Sequence, residues 1–178
     1  MFCGGSTLFL LGHNSRVRRL PQPLYPVRHD VTALSAPIKK YKFQILLIPL
    51  STIVGTIVAC CLFSLFCPVP LRETVAIGCG FGYYSLSAIL LNELAGADIG
   101  TTALICNLSR ELLTLLTIPL LARYCGKLAP ITAAGATSID TTLPLISAAL
   151  GEKYVIFAIF HGIIVDISVP VLIWLLYL

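Results

Sequence analysis

The chain has 178 residues, of which 57% are hydrophobic and 11% are charged, and its formal net charge is +4. A soluble domain carries about 25% charged residues, so this composition, together with charge-free runs long enough to span lipid, indicates an integral membrane protein. The seven cysteines are odd in number and show no Cys-x-x-Cys or metal-ligand spacing, so we assign them no role and predict no metal or cofactor.

Residues 1–41 are predicted to form a polar, basic and proline-rich tail outside the membrane. The basic residues in and just after this tail are Arg16, Arg18, Arg19, Arg28, Lys39, Lys40 and Lys42. No aromatic interleaving or known motif accompanies them, so we do not expect a nucleic-acid partner. The positive-inside rule instead predicts that the N-terminus lies in the cytoplasm.

Residues 42–178 are predicted to form an all-α, polytopic transmembrane domain. About five membrane-spanning segments are expected, at 42–66, 72–94, 99–122, 128–150 and 154–178. Five crossings from a cytoplasmic N-terminus place Leu178 outside the cell. They also place the loop Arg123–Lys127 outside with its two basic residues, which opposes the positive-inside rule.

Two of these segments contain unusual sequence. In segment 72–94, Gly78 and Gly82 form a G-x-x-x-G pattern that permits close helix approach. The same glycine-rich stretch is equally consistent with unwound backbone that lines a cavity. In segment 128–150, residues 135–144 have many small, polar and β-branched side chains, and Pro144 disfavours helical geometry at Leu143. We therefore predict one helix broken near mid-membrane.

Ionisable residues lie near the middle of three predicted segments. They are Arg110 and Glu111 in the third, Asp140 in the fourth, and His161 and Asp166 in the fifth. A charge at mid-bilayer costs about 2.5–3.5 kcal/mol on insertion scales, so such residues indicate a substrate or ion pathway. The alternative is a polar cluster that only ties helices together, for example through pairing of Asp140 or Asp166 with Arg110.

Asp140 gives the sharper prediction, because it lies in the predicted break. A broken helix exposes backbone N–H groups that attract anions and carbonyls that hold cations. Thr137, Ser138 and Thr141 supply hydroxyl groups at the same depth. His161 is consistent either with proton exchange or with a hydrogen-bonded packing role.

Five blocks in order resemble the lysine exporter LysO family of bacterial inner-membrane proteins. They span from about residue 40 to the end of the chain and comprise residues 80–87 (GFGYYSLS), 107–112 (NLSREL), 118–123 (IPLLAR), 135–144 (GATSIDTTLP), and His161-Gly162 with Pro170. The resemblance implies a multi-pass inner-membrane transporter rather than an enzyme. It implies export of L-lysine and its toxic analogue thialysine, driven by a proton or sodium gradient.

The resemblance also suggests Glu111 and Asp140 as the key acidic residues. We expect these two to bind the substrate ammonium groups or protons alternately, and Arg110 to hold the substrate carboxylate or keep the acids ionised. The residues expected to orient the substrate are Ser85, Asn107, Thr137, Ser138 and Thr141. His161 and Asp166 complete the predicted substrate and ion site.

Two departures from the family keep other interpretations open. Family members usually carry further membrane helices before the matched region, and Asp166 stands where a small polar or apolar residue is expected. A truncated or accessory subunit without transport activity of its own is therefore one alternative, and a homodimer that encloses the pathway is another expectation. A third interpretation is an intramembrane hydrolase that pairs Asp140 with Asp166 or His161, but no recognised nucleophile or metal motif supports it.

Overall fold

The structure, a computed structural model, describes residues 42–66 and 68–178, so the predicted tail at 1–41 lies outside the described residues. This part of the chain is helical and contains no strand, which confirms the all-α prediction. Its α-helices are α1 (Lys42–Ser64), α2 (Leu71–Gly78), α3 (Tyr84–Ala95), α4 (Ala97–Tyr124), α5 (Ala129–Ala134), α6 (Leu143–Leu150) and α7 (Val155–Tyr177). Two 3₁₀ helices, Gly135–Ile139 and Glu152–Tyr154, precede α6 and α7.

Three stretches among the described residues are continuous, long and apolar enough to cross a membrane. They are Ile45–Ser64 in α1, Ala97–Tyr124, which is α4, and Glu152–Tyr177, which includes α7. Each has at least the roughly 20 residues that a bilayer requires. They correspond to the predicted segments 42–66, 99–122 and 154–178.

The second predicted segment is interrupted. Helix α2 ends at Gly78 and α3 begins at Tyr84, and between them Phe81 and Gly82 have φ angles of +46° and +91°. Glycine tolerates a positive φ, whereas other L residues do so at a cost, so the glycine-rich stretch favours a turn. Gly78 also packs tightly, because a Cβ there would lie against Cys60 of α1. Both interpretations of this stretch therefore hold, each at a different glycine.

The fourth predicted segment is broken, as its sequence predicts. Helix α5 leads into the 3₁₀ helix Gly135–Ile139, a turn follows at 140–142, and α6 begins at Leu143. Gly135 has a φ of +63°, and a Cβ there would collide with the carbonyl oxygen of Phe81. Pro144 lies in the first turn of α6, where its missing N–H is not needed by the helix.

Two apolar clusters show how the helices are arranged. The first cluster joins α2 and α3 to the first half of α4 and the second half of α7; its members include Val75, Ala76, Leu91, Ala103, Val165, Val169 and Ile173. The second cluster joins α5 and α6 to the end of α4 and the beginning of α7; its members include Ile118, Ile131, Ile146, Leu150, Phe157 and Ala158. Both helices of each interrupted pair thus pack at the same end of the described unit.

Each interrupted pair is therefore a helical hairpin. We call α2 and α3 hairpin 1, and α5, the 3₁₀ helix Gly135–Ile139 and α6 hairpin 2. Helix α1 contributes Ile45 and Ile48 to the second cluster, while Ile53 and Ile57 pack against the first. Helices α1 and α7 consequently run in the same direction and α4 runs in the opposite one, with the two hairpins inserted from opposite ends.

The hairpin tips meet in the middle. The backbone N–H of Ala136 donates a hydrogen bond of 3.0 Å to the carbonyl oxygen of Phe81. A backbone group without a partner costs several kcal/mol in lipid, so breaks are tolerated only where protein or water satisfies them. Each tip therefore helps to satisfy the open backbone of the other.

Asn107 on α4 completes the hydrogen bonding of the break in hairpin 1. Its Oδ1 accepts a hydrogen bond of 2.9 Å from the Gly82 N–H, and its Nδ2 donates to the carbonyl oxygens of Ile77 and Ala103, each at 3.0 Å. The side chain is only 3% exposed. One amide thus replaces helical hydrogen bonds on both sides of the turn.

Replacing Asn107 with leucine is expected to destabilise the fold. It leaves the Gly82 N–H without its acceptor and removes one of the two donors to the Ile77 carbonyl, and a buried unpaired group costs about 1–3 kcal/mol. Thermal unfolding in detergent should show a clearly lower Tm for Asn107→Leu than for Asn92→Leu, which changes an exposed asparagine on α3. Equal Tm values for the two variants would contradict this role.

Candidate functional site

A cavity of about 220 Å³ lies where the two hairpin tips meet. Hairpin 1 lines it with residues 82–85, and hairpin 2 and the turn before α6 line it with residues 136–137 and 139–141. Helix α4 contributes Glu111 and helix α7 contributes Asp166. Four separate parts of the chain thus converge on one space, and both backbone breaks border it.

The structure divides the ten predicted site residues into two groups. Those that line the cavity are Ser85, Glu111, Thr137, Asp140, Thr141 and Asp166. Those that lie behind the lining are Asn107, Arg110, Ser138 and His161. The sequence predicts that these residues share a depth, but depth alone does not specify which of them face the cavity.

Three carboxyl groups reach the cavity from three different elements. Glu111 is 6% exposed, and its Oε1 accepts a hydrogen bond from the hydroxyl of Thr141. Asp140 and Thr141 are exposed at the tip of hairpin 2, and Asp166 is half-buried on α7. No lysine, arginine or histidine is among the lining residues. The cavity is therefore suited to a cation, because nearby opposite charge is attractive and the low-dielectric walls strengthen the attraction.

Arg110 lies next to this cavity but contacts the hairpins. Its Nε donates a hydrogen bond of 3.4 Å to the Ala133 carbonyl in the last turn of α5, and Thr114 donates to the same oxygen at 3.3 Å. The guanidinium carbon is 5.9 Å from the centre of the Phe81 ring. A cation near a helix C-terminus interacts favourably with the helix dipole. Arg110 therefore links hairpin 2 to hairpin 1 in this conformation.

The alternative in which Arg110 pairs with a carboxylate has no support in this conformation. Within residues 42–66 and 68–178, Arg110 forms no ion pair with Asp140 or Asp166, and its contacts are to a backbone carbonyl and an aromatic ring. Arg110 therefore lies outside the lining of the cavity, and its expected roles, holding the substrate carboxylate or keeping the acids ionised, stay predictions.

Ser138 and His161 form a buried pair behind the lining. The Ser138 hydroxyl donates to the Ala158 carbonyl at 2.9 Å, and its oxygen is 3.1 Å from His161 Nδ1. The other ring nitrogen of His161 is 2.9 Å from the Thr52 hydroxyl. Both nitrogens of the ring are thus engaged by hydroxyl groups, so His161 does not pair with Asp140, which was one of the two pairings in the hydrolase interpretation.

Sequence reasoning did not assign Gly82, Tyr83 or Tyr84 to the site, yet all three line the cavity. They belong to the break and to the first turn of α3, whose N–H groups have no partner within the helix. The signal was present in the sequence, because a glycine-rich break directly before polar aromatic residues places those residues at a helix start.

Comparison with known proteins adds independent information. A sequence model of the family "Lysine exporter LysO" matches residues 25–177. The chain is 36% identical over 128 residues to "Lysine exporter LysO" of Escherichia coli (strain K12), covering 72% of this chain and 42% of that protein. It is 34% identical over 123 residues to a "Putative lysine exporter" of Haemophilus influenzae, covering 69% of this chain and 60% of that protein.

The chain therefore spans about half the length of the curated relatives that it matches. No solved structure matches it. The region matched by the family model includes both hairpins and every residue that lines the cavity. From this match, which covers most of the sequence, we conclude that the chain belongs to the lysine exporter LysO family.

Proposed function

We propose that this protein exports L-lysine from the cytoplasm, and that the cavity between the hairpin tips is its substrate site. The observation that carries the proposal is the convergence of Glu111, Asp140 and Asp166 on one cavity without a cationic side chain in its lining. Acidic residues at membrane depth are costly and typically mark a substrate or ion path. Membership of the lysine exporter LysO family supports lysine as the cation.

Lysine carries two ammonium groups and one carboxylate, and the cavity offers matching groups. Glu111 and Asp140 bind the ammonium groups, with Asp166 as a further acidic contact. The substrate carboxylate is directed to the first turn of α3, where Ser85 lines the cavity and the positive end of the helix dipole lies. Thialysine has the same charged groups and would occupy the same site.

Transport by such a site is coupled to an ion gradient. Glu111 and Asp140 bind lysine in one state and protons in the other; a sodium ion is the alternative counter-ion. The hydroxyl of Thr141 contacts the Glu111 carboxylate, so a shift at the tip of hairpin 2 changes both acids together. The cycle then requires only that each tip moves away from the cavity in turn.

The hairpins also lead us to propose a topology in the plasma (inner) membrane. If both hairpins re-enter on their own side, the chain crosses the membrane three times, at α1, α4 and α7. A cytoplasmic N-terminus then places Arg123, Lys127 and Lys153 in the cytoplasm, and it places Arg72 and Leu178 outside. This arrangement obeys the positive-inside rule, which five crossings violate at the loop Arg123–Lys127.

Opposed hairpins give each side of the membrane its own gate. Hairpin 1 separates the cavity from the outside, and hairpin 2 separates it from the cytoplasm. This arrangement supports alternating access by a chain of this size. Three polar side chains at the tips are exposed and must be shielded from lipid: Tyr84, Ser85 and Asp140. We therefore propose that a second copy of the chain encloses the pathway.

A second candidate is an accessory subunit that transports only together with a partner. The shorter length of the chain relative to its curated relatives favours this candidate. Reconstitution of the purified chain distinguishes the two, because an accessory subunit shows no lysine efflux on its own and does so after its partner is added.

Neutralising either of the two key acids is expected to abolish export. In proteoliposomes loaded with labelled lysine, Asp140→Asn and Glu111→Gln should each lower the initial efflux rate at least tenfold, because each removes a charge that binds the substrate. Glu93→Gln, at an exposed glutamate of α3 outside the cavity, is the matched control. Efflux at the wild-type rate from correctly folded Asp140→Asn and Glu111→Gln protein would refute the proposed site.

Removing the hydroxyl that contacts Glu111 is expected to weaken lysine binding. A hydrogen bond to a charged group contributes about 1.5–3 kcal/mol, so Thr141→Val should raise the Kd for lysine by about tenfold or more. Thr141→Ser keeps the hydroxyl and should restore binding. Equal affinities for the valine and serine variants, measured by calorimetry in detergent, would show that this contact has no part in binding.

A further inference from the structure

His161 is a buried polar side chain that the transport mechanism above does not use. It lies on α7, is 0% exposed, and is not part of the cavity lining. Its Nε2 is 2.9 Å from the Thr52 hydroxyl of α1, and its Nδ1 is 3.1 Å from the Ser138 hydroxyl in hairpin 2. One imidazole thus connects two membrane-crossing helices to the tip of a hairpin.

Each hydroxyl beside the ring also has a carbonyl acceptor. The Ser138 hydroxyl donates to the Ala158 carbonyl at 2.9 Å, and the Thr52 hydroxyl donates to the Ile48 carbonyl at 3.2 Å. In the neutral ring one nitrogen donates to its hydroxyl oxygen, and the other accepts from the second hydroxyl, which then turns from its carbonyl to the ring. Every polar group in the set has a partner, which makes such a buried network rigid.

The contact continues at the next residue of α7. A Cβ on Gly162 would lie 2.7 Å from the Ser138 hydroxyl oxygen and 3.0 Å from the Ile139 backbone nitrogen. Both distances are shorter than normal contacts, so α7 and the 3₁₀ helix are packed without spare space here. Ser138 and Ile139 directly precede Asp140 and Thr141, so the position of α7 determines where these two residues lie.

We propose that His161 is a positioning residue that fixes the tip of hairpin 2. Through Ser138 it holds the 3₁₀ helix against α7, and through Thr52 it ties the same point to α1. Asp140 and Thr141 are thereby kept beside Glu111 across the cavity. The effect on lysine affinity rests on the proposed function, whereas the effect on hairpin 2 does not.

Asparagine and glutamine at position 161 distinguish the hydrogen bond at Nδ1 from the hydrogen bond at Nε2. The amide of asparagine takes the place of Nδ1 and keeps the bond to Ser138, whereas the amide of glutamine reaches the place of Nε2 and keeps the bond to Thr52. His161→Gln and Ser138→Ala should raise the KM for lysine efflux by about tenfold, and His161→Asn should raise it much less. Ser168→Ala is the matched control and should leave KM unchanged. It removes a hydroxyl of α7 that donates a hydrogen bond to the Val165 carbonyl of the same helix.

Gly162→Ala tests the same tip by an independent route, because it displaces Ser138 and Ile139 while His161 stays in place. It should raise KM as His161→Gln does. A purely structural role for His161 predicts a different result, in which all variants lose yield and Tm to similar extents while the folded protein keeps the wild-type KM. That outcome would overturn the proposal.

Hydrogen exchange provides a readout that does not need lysine. The amides of Ala136, Asp140 and Thr142 are hydrogen-bonded in the wild-type protein. Exchange at these amides in peptides covering 135–142 should be at least tenfold faster in His161→Gln and Ser138→Ala than in wild type or Ser168→Ala. Faster exchange in a protein that does not transport lysine would contradict the proposed function alone, whereas unchanged exchange would overturn the positioning role.

Discussion

The architecture depends on one constraint: each backbone polar group exposed by a helix break inside a membrane must find a partner there. Two breaks in the same chain meet this requirement jointly. The Ala136 N–H bonds to the Phe81 carbonyl across the tips, and Asn107 supplies an acceptor for Gly82 on one side. On the other side, Arg110 donates a hydrogen bond to the Ala133 carbonyl in the last turn of α5. Neither break is satisfied without the neighbouring helices, so the hairpins and the long helices depend on each other.

The same breaks explain why acidic groups are tolerated at the centre. A continuous helix uses its own N–H groups, whereas a broken one presents them at mid-depth together with the side chains of its turn. Asp140 and Thr141 lie in such a turn and meet Glu111 from α4. A polar cavity formed in this way has fixed groups for a charged solute.

The sequence was sufficient to predict the helical membrane fold and the break at 135–144. Asp140 and Glu111 stood out because charge in an apolar segment has a high cost. The direction of a side chain around its helix was not predictable, since no partner helix is visible in a sequence. Asn107 and His161 were consequently predicted to share a site with Asp140 and Glu111, although the structure places both behind the lining of the cavity.

The hairpins themselves were also not predictable from hydropathy. A mostly apolar segment of 23 residues, such as 128–150, looks the same whether it crosses the bilayer or folds back at its centre. Only the apolar clusters show that α5 and α6 share one end. The basic residues of the loop Arg123–Lys127 favour the same arrangement, but they are weaker evidence for it than the apolar clusters. In the proposed topology with three crossings, the loop Arg123–Lys127 no longer violates the positive-inside rule.

The most direct test of this account is the sidedness of the two ends of hairpin 2. Cys125 lies just before α5 and Glu152 just after α6, and both are exposed. In a protein whose other cysteines are replaced, Cys125 alone and a Glu152→Cys variant lacking Cys125 would be labelled in oriented membranes with an impermeant thiol reagent. The account predicts that both positions are labelled from the same side, whichever side that is. Labelling from opposite sides would show that 128–150 crosses the membrane and would contradict the hairpin arrangement.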